Sequence, residues 1–166
     1  MIIGIDNGVS GSITIMSNDG TVLDYFPTPT KKTLKPTKKV QWITVVLYDE
    51  LYSRLKKHVE HESSVKCYME RAFINYKMFN ATMSSVMAYI ITVLVLEQLH
   101  ISYEVVDSKD WQKHMLPEGI LGKKELKEAA KCVANRLFPS VRIKRADLAD
   151  SLLIAEYYRR KNTGMV

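Results

Sequence analysis

The sequence predicts an α/β fold in which three antiparallel strands and two parallel additions make a five-stranded mixed sheet flanked by helices on both faces. Three observations carry this. Met1 to Ile15 reads MIIGIDNGVSGSITI, an apolar β-type run that meets Asp6, turns through Asn7, Gly8, Ser10 and Gly11, and returns as an alternating strand. Two later β-type runs, Val65 to Met69 and Ile101 to Val106, are separated by a long apolar helix, a crossover that makes them parallel. The remainder of the chain carries the three-to-four spacing of amphipathic helices.

At 166 residues the chain suits one domain, 1–166, with a real core, and its 46% hydrophobic content is ordinary for a soluble globular protein. A net charge of +6 favours a polyanionic partner, nucleic acid or an anionic surface. Cys67 and Cys132 lack CxxC spacing and disulfide density, so both read as reduced core thiols of a cytoplasmic protein. Met1 opens directly into a strand, leaving no room for a cleavable leader. The most apolar stretch, Ala81 to Leu96, contains Thr82, Ser84, Ser85 and Thr92 and falls short of the ~20 residues that span a bilayer, so no membrane is expected.

Taken in order, the first hairpin is followed by the turn Asn18-Asp19-Gly20 and a third antiparallel strand, Thr21 to Phe26. Pro27, Pro29 and Pro36 bracket a tract with Lys31, Lys32, Lys35, Lys38 and Lys39, which reads as a loop, either a solvated linker or a phosphate-contacting arm. Val40, Ile43, Leu47, Leu51, Leu55 and Val59 have the spacing of one helix over 40–59. The strand from Val65 ends at Glu70, in the position Asp6 has on the first strand. A helix over 81–99 is apolar nearly all round, which predicts the sheet on one face and a second subunit on the other, with Ile91 and Leu94 outward. Ser108 to Gly122 reads as a loop region, Lys123 to Phe138 as a helix stopped by Pro139, and a last helix begins near Asp147. Asp147 and Asp150, three apart, share one face of it.

Four carboxylates thus have related placements: Asp6 and Glu70 at strand ends, Asp147 and Asp150 at the start of the closing helix. If the two strands are neighbours and the helix packs over their ends, all four converge. Oxygen donors in that number suit Mg²⁺ or Mn²⁺ and hydrolysis of a phosphodiester, which in a basic protein reads as a nuclease. Two rival signals are weaker. His58 and His61, three apart on a charged helix end, have no second pair at zinc-ligand spacing. Gly4, Gly8 and Gly11 resemble the phosphate loop of actin-like kinases, which need two domains around the nucleotide.

The order GIDNG, then MERAF, then RADLADSLLIA resembles the RuvC family of Holliday-junction resolvases, of the RNase H-like superfamily, over essentially the whole chain. SKDWQK and the helix ending LFP look closest to phage-encoded or small bacterial members. The resemblance implies an RNase H-like fold and four metal-binding acidic residues, Asp6, Glu70, Asp147 and Asp150, holding two Mg²⁺ ions per site with Mn²⁺ as a substitute. It implies catalytic lysines at Lys113 and Lys124, with Lys123 a close rival for the second, and a junction-centre aromatic at Phe73. Arg71, Lys77, Lys109 and Lys123 complete the expected DNA-binding set. The implied activity is paired nicking of four-way DNA junctions by a homodimer joined through the helix over 81–99, in a bacterial cytosol or a phage host's cytoplasm, with no small-molecule cofactor. A broader flap and fork nuclease, and a junction-binding protein that does not cut, stay open beside it. Asn7 departs from the family, where proline is common, and the lysine-proline tract is not a shared feature.

Overall fold

The computed structural model describes residues 1–35, 42–141, 143 and 148–165. Its main sheet contains β1 (Ile2–Asp6), β2 (Ser12–Met16), β3 (Val22–Pro27), β6 (Lys66–Glu70) and β7 (Ser102–Val106), in the order β3-β2-β1-β6-β7. β1, β2 and β3 form an antiparallel meander, and β6 and β7 are added parallel to β1. The mixed sheet predicted from the sequence is therefore present, strand for strand.

Side-chain alternation divides the sheet into two faces. Ile3, Ile5, Ile13, Ile15, Cys67 and Met69 point to one face and pack with Leu51 and Leu55 of α1 (Tyr48–Val59) and Val95 and Leu96 of α2 (Phe79–Gln98). Ile2, Met16 and Tyr68 point to the other and pack beneath α5 (Ala149–Asn162), which α3 (Ser108–Met115) and α4 (Lys123–Leu137) enclose from outside. Every residue of α5 from Ala149 to Tyr158 is buried except Asp150, which is half-buried. α2 differs: Ser85, Ala88, Thr92, Val95 and Leu96 are buried against the sheet, while Ile90 and Leu94 are 51% and 50% exposed.

Several sequence expectations need correction. Part of the proline-lysine tract is not loop, because Thr30–Leu34 forms β4 and pairs antiparallel with β5 (Trp42–Val46) in a separate two-stranded sheet. Pro36, Lys38 and Lys39 lie outside the described residues. The helix expected over 40–59 begins only at Tyr48. Trp42 to Val46, aromatic and mostly β-branched, satisfies helical spacing by coincidence at Ile43 but has strand propensity and a strand partner. The loop expected over 108–122 contains α3, whose N-cap Asp107 accepts a hydrogen bond from the Lys109 amide at 3.0 Å. Cys67 is a core thiol, whereas Cys132 is exposed on α4. Ile91 is partly buried with the sheet-side cluster, so Ile90, not Ile91, accompanies Leu94 on the outer side. α2 has 20 residues and by length and composition alone could cross a bilayer, contrary to the shorter run read from the sequence; its buried stripe lies on the sheet.

Candidate active site

Three neighbouring strands end in carboxylates. β1 ends at Asp6, β6 at Glu70, and β7 runs directly into Asp107. Ile5 pairs with Met69 in parallel register, so the next residues along are Asp6 and Glu70, and Glu70 lies opposite Val106. Strand alternation sends Asp6 the same way as Ile2 and Gly4, and Glu70 the same way as Tyr68, toward the face covered by α5.

The seat of α5 on that face explains why Asp150 comes close. A Cβ on Gly4 would stand 2.3 Å from the Ser151 carbonyl oxygen and 2.7 Å from the Ala155 amide nitrogen, so helix backbone lies directly on strand backbone. Two hydrogen bonds pin the same turn: the Ser12 hydroxyl donates to Ser151 Oγ at 2.7 Å, and Thr14 and Ser151 share a bond of 2.9 Å. These buried hydroxyls satisfy one another and fix the helix's position along the strands. Asp150, one residue before Ser151, is thereby held near the ends of β1 and β6.

The electrostatics record this convergence. Burial, first, and then the negative charges of Asp150 and Asp107 raise the Glu70 carboxyl to about 7, against hydrogen bonds from Trp111 and the Asp6 side chain that pull it down. Trp111 of α3 is fully buried and donates from Nε1 to Glu70 Oε1 at 2.7 Å. The burial and like-charge repulsion that raise Glu70 are what a bound cation would relieve. All these donors are oxygens, the chemistry of Mg²⁺ or Mn²⁺ ligation, and in that respect the residues fit such an ion. Among the described residues no three acidic, histidine or cysteine side chains are drawn together as a finished cage. Asp147, the fourth expected ligand, lies outside the described residues.

The segment after Glu70 is tied down by hydroxyls of α2. The Phe73 amide donates to Ser85 Oγ at 2.8 Å, the Asn75 amide donates to Thr82 Oγ1 at 2.9 Å, and the Thr82 hydroxyl donates to the Asn75 carbonyl at 2.8 Å. Asn7, beside Asp6, donates from Nδ2 to the Ser85 carbonyl at 3.4 Å, so Ser85 touches both the turn after Asp6 and the Phe73 segment. With its backbone so held, the Phe73 ring is 51% exposed rather than drawn into the core. Arg71 and Lys77 are exposed on the same segment. Lys109 and Lys113, also exposed, line a cavity of about 350 Å³ with Leu116 and Leu126, on the outer side of α3; Lys123 and Lys124 are exposed on the first turn of α4. His58 bonds Asp24 at 3.3 Å, away from the carboxylates.

Sequence reading missed Trp111, Asp107 and Ser85 as parts of the site. Asp107 had the same signal as Asp6 and Glu70, an acid directly after an apolar β run. Trp111 had none, since a tryptophan in a polar stretch does not reveal which carboxylate its N–H will meet.

No protein-family model and no curated protein matches the chain. The fold is similar to that of Thermus thermophilus RuvC at 12% identity and a TM-score of 0.57, covering 99% of this chain and 96% of that one. It is similar at 11% identity, with the same TM-score and coverages, to T. thermophilus RuvC in complex with a Holliday junction substrate. The chain thus has the RuvC-type, RNase H-like fold that its motifs imply.

Proposed function

We propose that the protein is a Mg²⁺-dependent endonuclease that resolves four-way DNA junctions by paired nicks. One observation carries the proposal: where β1 and β6 end beneath α5, the Glu70 carboxyl is hydrogen-bonded to Asp6, and burial together with the charges of Asp150 and Asp107 raises it to about 7. The likeness to a RuvC bound to a Holliday junction supports branched DNA as the partner. The net charge of +6 supports it independently.

In this reading Asp6, Glu70, Asp150 and Asp147 hold two divalent ions, which when bound supply water activation and charge neutralisation at the scissile phosphate. The chain's own groups do the rest. Trp111 fixes the orientation of Glu70 by donating to Oε1. Glu70, whose carboxyl is raised to about 7, would release its proton on binding such an ion. Lys113 and Lys124 supply positive charge toward the phosphoryl oxygens, and Lys109, Lys123, Arg71 and Lys77 contact the DNA backbone. The exposed Phe73 ring, on a segment held by Ser85 and Thr82, stacks on an unpaired base at the branch point, worth about 1 to 3 kcal/mol without regard to base identity. A homodimer built on the outer stripe of α2, with Ile90 and Leu94, presents two such sites to two strands.

A panel of four-way junction, flap and linear duplex, each with and without Mg²⁺, tests this reading. Symmetric nicks in the four-way junction, dependent on Mg²⁺, are expected. Equal cutting of flaps and junctions points to the broader nuclease, and tight junction binding without cutting in either Mg²⁺ or Mn²⁺ overturns the enzyme.

A further inference from the structure

The β4–β5 hairpin stands apart from the five-stranded sheet, and its position is informative. Pro27 at the end of β3 pairs with Ser12, and Ser12 pairs with Asp6, so the chain leaves β3 at the carboxylate end of the sheet. The Thr28 amide donates to the Gly11 carbonyl in the turn after Asp6, and the Leu47 amide closes the hairpin's base on the Pro29 carbonyl. Farther along, Lys35 Nζ donates to Asn80 Oδ1 at 2.6 Å, at the first turn of α2 and next to the segment that carries Phe73. The hairpin therefore projects from the catalytic end and leans on the element that follows Glu70.

Its two faces differ. Register places Thr33 opposite Ile43 and Lys31 opposite Val45, and Ile43 is buried. The other face buries Val46 at the hairpin's base but farther out carries the directly paired Leu34 and Trp42, 54% and 62% exposed, with the exposed Lys32 beside them. A two-stranded ribbon gains little by showing water a tryptophan opposite a leucine, and its own folding does not require it. No acidic residue occurs from Tyr25 to Tyr48, while Lys31, Lys32 and Lys35 all lie on this element. An exposed lysine beside an exposed indole, on a ribbon that carries no acid of its own, matches a nucleic acid, whose phosphates meet the lysine and whose sugars or bases meet the ring.

We infer that the β4–β5 hairpin is a DNA-contacting arm, with Lys32 on the phosphates of one duplex arm and Trp42, on the same face of the ribbon, packed against its sugars or bases, at the same end of the sheet as Asp6 and Glu70. The inference rests on the nuclease reading for its partner, and it assigns to this ribbon an interface separate from the Phe73 segment.

Fluorescence anisotropy with a labelled four-way junction, over a salt series and without divalent metal, tests it on the full chain. Lys32→Glu should weaken binding several-fold and flatten the dependence of log affinity on log salt by roughly 0.9, the slope of one lost phosphate contact, while Lys31→Glu, on the opposite face, should do less. Trp42→Ala should weaken binding by about tenfold with the salt dependence unchanged. All these side chains are exposed, so melting temperatures should equal that of the wild type; if the charge reversal perturbs folding, Lys32→Gln serves with a smaller loss in the same direction. Wild-type affinity and salt dependence in Lys32→Glu overturn the inference, as does sedimentation showing that Trp42→Ala only converts a dimer to a monomer. A wild-type protein that binds no junction overturns the nuclease reading itself; one that binds and cuts junctions while the variants match it overturns only the arm.

Discussion

α2 and α5 share one trait as sequences and are opposite as structures. Neither has a strong apolar stripe. α5 owes its even burial to layers on both sides, the strands β1, β2 and β6 beneath it and α3 and α4 above. α2 has the main sheet beneath it with α1 and β5 packed beside it, and its outer stripe of Ile90 and Leu94 stays open. The difference shows that a helix without a clear stripe does not announce in its sequence where its cover comes from. For α5 the chain itself supplies the cover; for α2 the proposed dimer does.

Substitutions can break this comparison, and the largest effect belongs to α5. Gly4→Ala pushes a methyl into the backbone of Ser151 and Ala155, neither of which can rotate away, and should cost about 1 to 3 kcal/mol or more. Because that contact also seats Asp150, surviving protein should lose cleavage beyond what its melting temperature explains. Wild-type stability in thermal melts would show that α5 can lift from β1 at little cost.

A second test compares the two ends of α5. Glu156 is buried, which raises its carboxyl, but Arg159 at 2.7 and 3.0 Å and Arg160 at 2.7 Å more than offset this and leave it below the usual carboxylate range. A depressed acid stabilises the fold above its unfolded value near 4.5, and that contribution disappears as pH falls through the native value. Glu70 has the opposite sign. Raised to about 7, it favours the fold most fully below 4.5, and stability declines as pH climbs from 4.5 toward 7. In metal-free buffer, Glu156→Gln should remove part of the low-pH loss and Glu70→Gln the decline between 4.5 and 7, read from denaturant midpoints across pH. An unchanged profile in Glu70→Gln would mean that the carboxylate end is not strained by its own charge.

The smallest stability effect belongs to the outer stripe of α2. Leu94→Glu lies at a half-exposed position, so the monomer's stability should change by no more than about 0.5 kcal/mol. Association should change greatly. Sedimentation is expected to show a dimer for the wild type and a monomer for Leu94→Glu, and a wild-type monomer at micromolar concentration would leave the stripe without the proposed cover.

The parts of this fold that the sequence made legible are those with a repeating contact. β1, β2, β6 and β7 were readable as short apolar β-type runs, and the position of Asp6 and Glu70 at the ends of two of them was readable with the strands. β4 was hidden because its two exposed lysines and its paired neighbours show no buried face. β5 was hidden because Ile43 falls on a helical spacing with Leu47 and Leu51. α3 buries only Trp111 and Met115, too few to reveal a period, so the N–H that orients Glu70 was invisible until the helix was in place. Phe73 was readable as a residue type, but its exposure depends on the hydroxyls of Ser85 and Thr82 holding the backbone away from the core.

The central claim, that Asp6 and its acidic neighbours hold the metal that cuts branched DNA, is tested most directly by Asp6→Asn assayed twice on one four-way junction. Binding is measured without metal and cleavage with Mg²⁺. Binding should be equal or tighter, because a negative charge near phosphate has been removed, and cleavage should be abolished. Undiminished nicking by Asp6→Asn in Mg²⁺ would contradict the account.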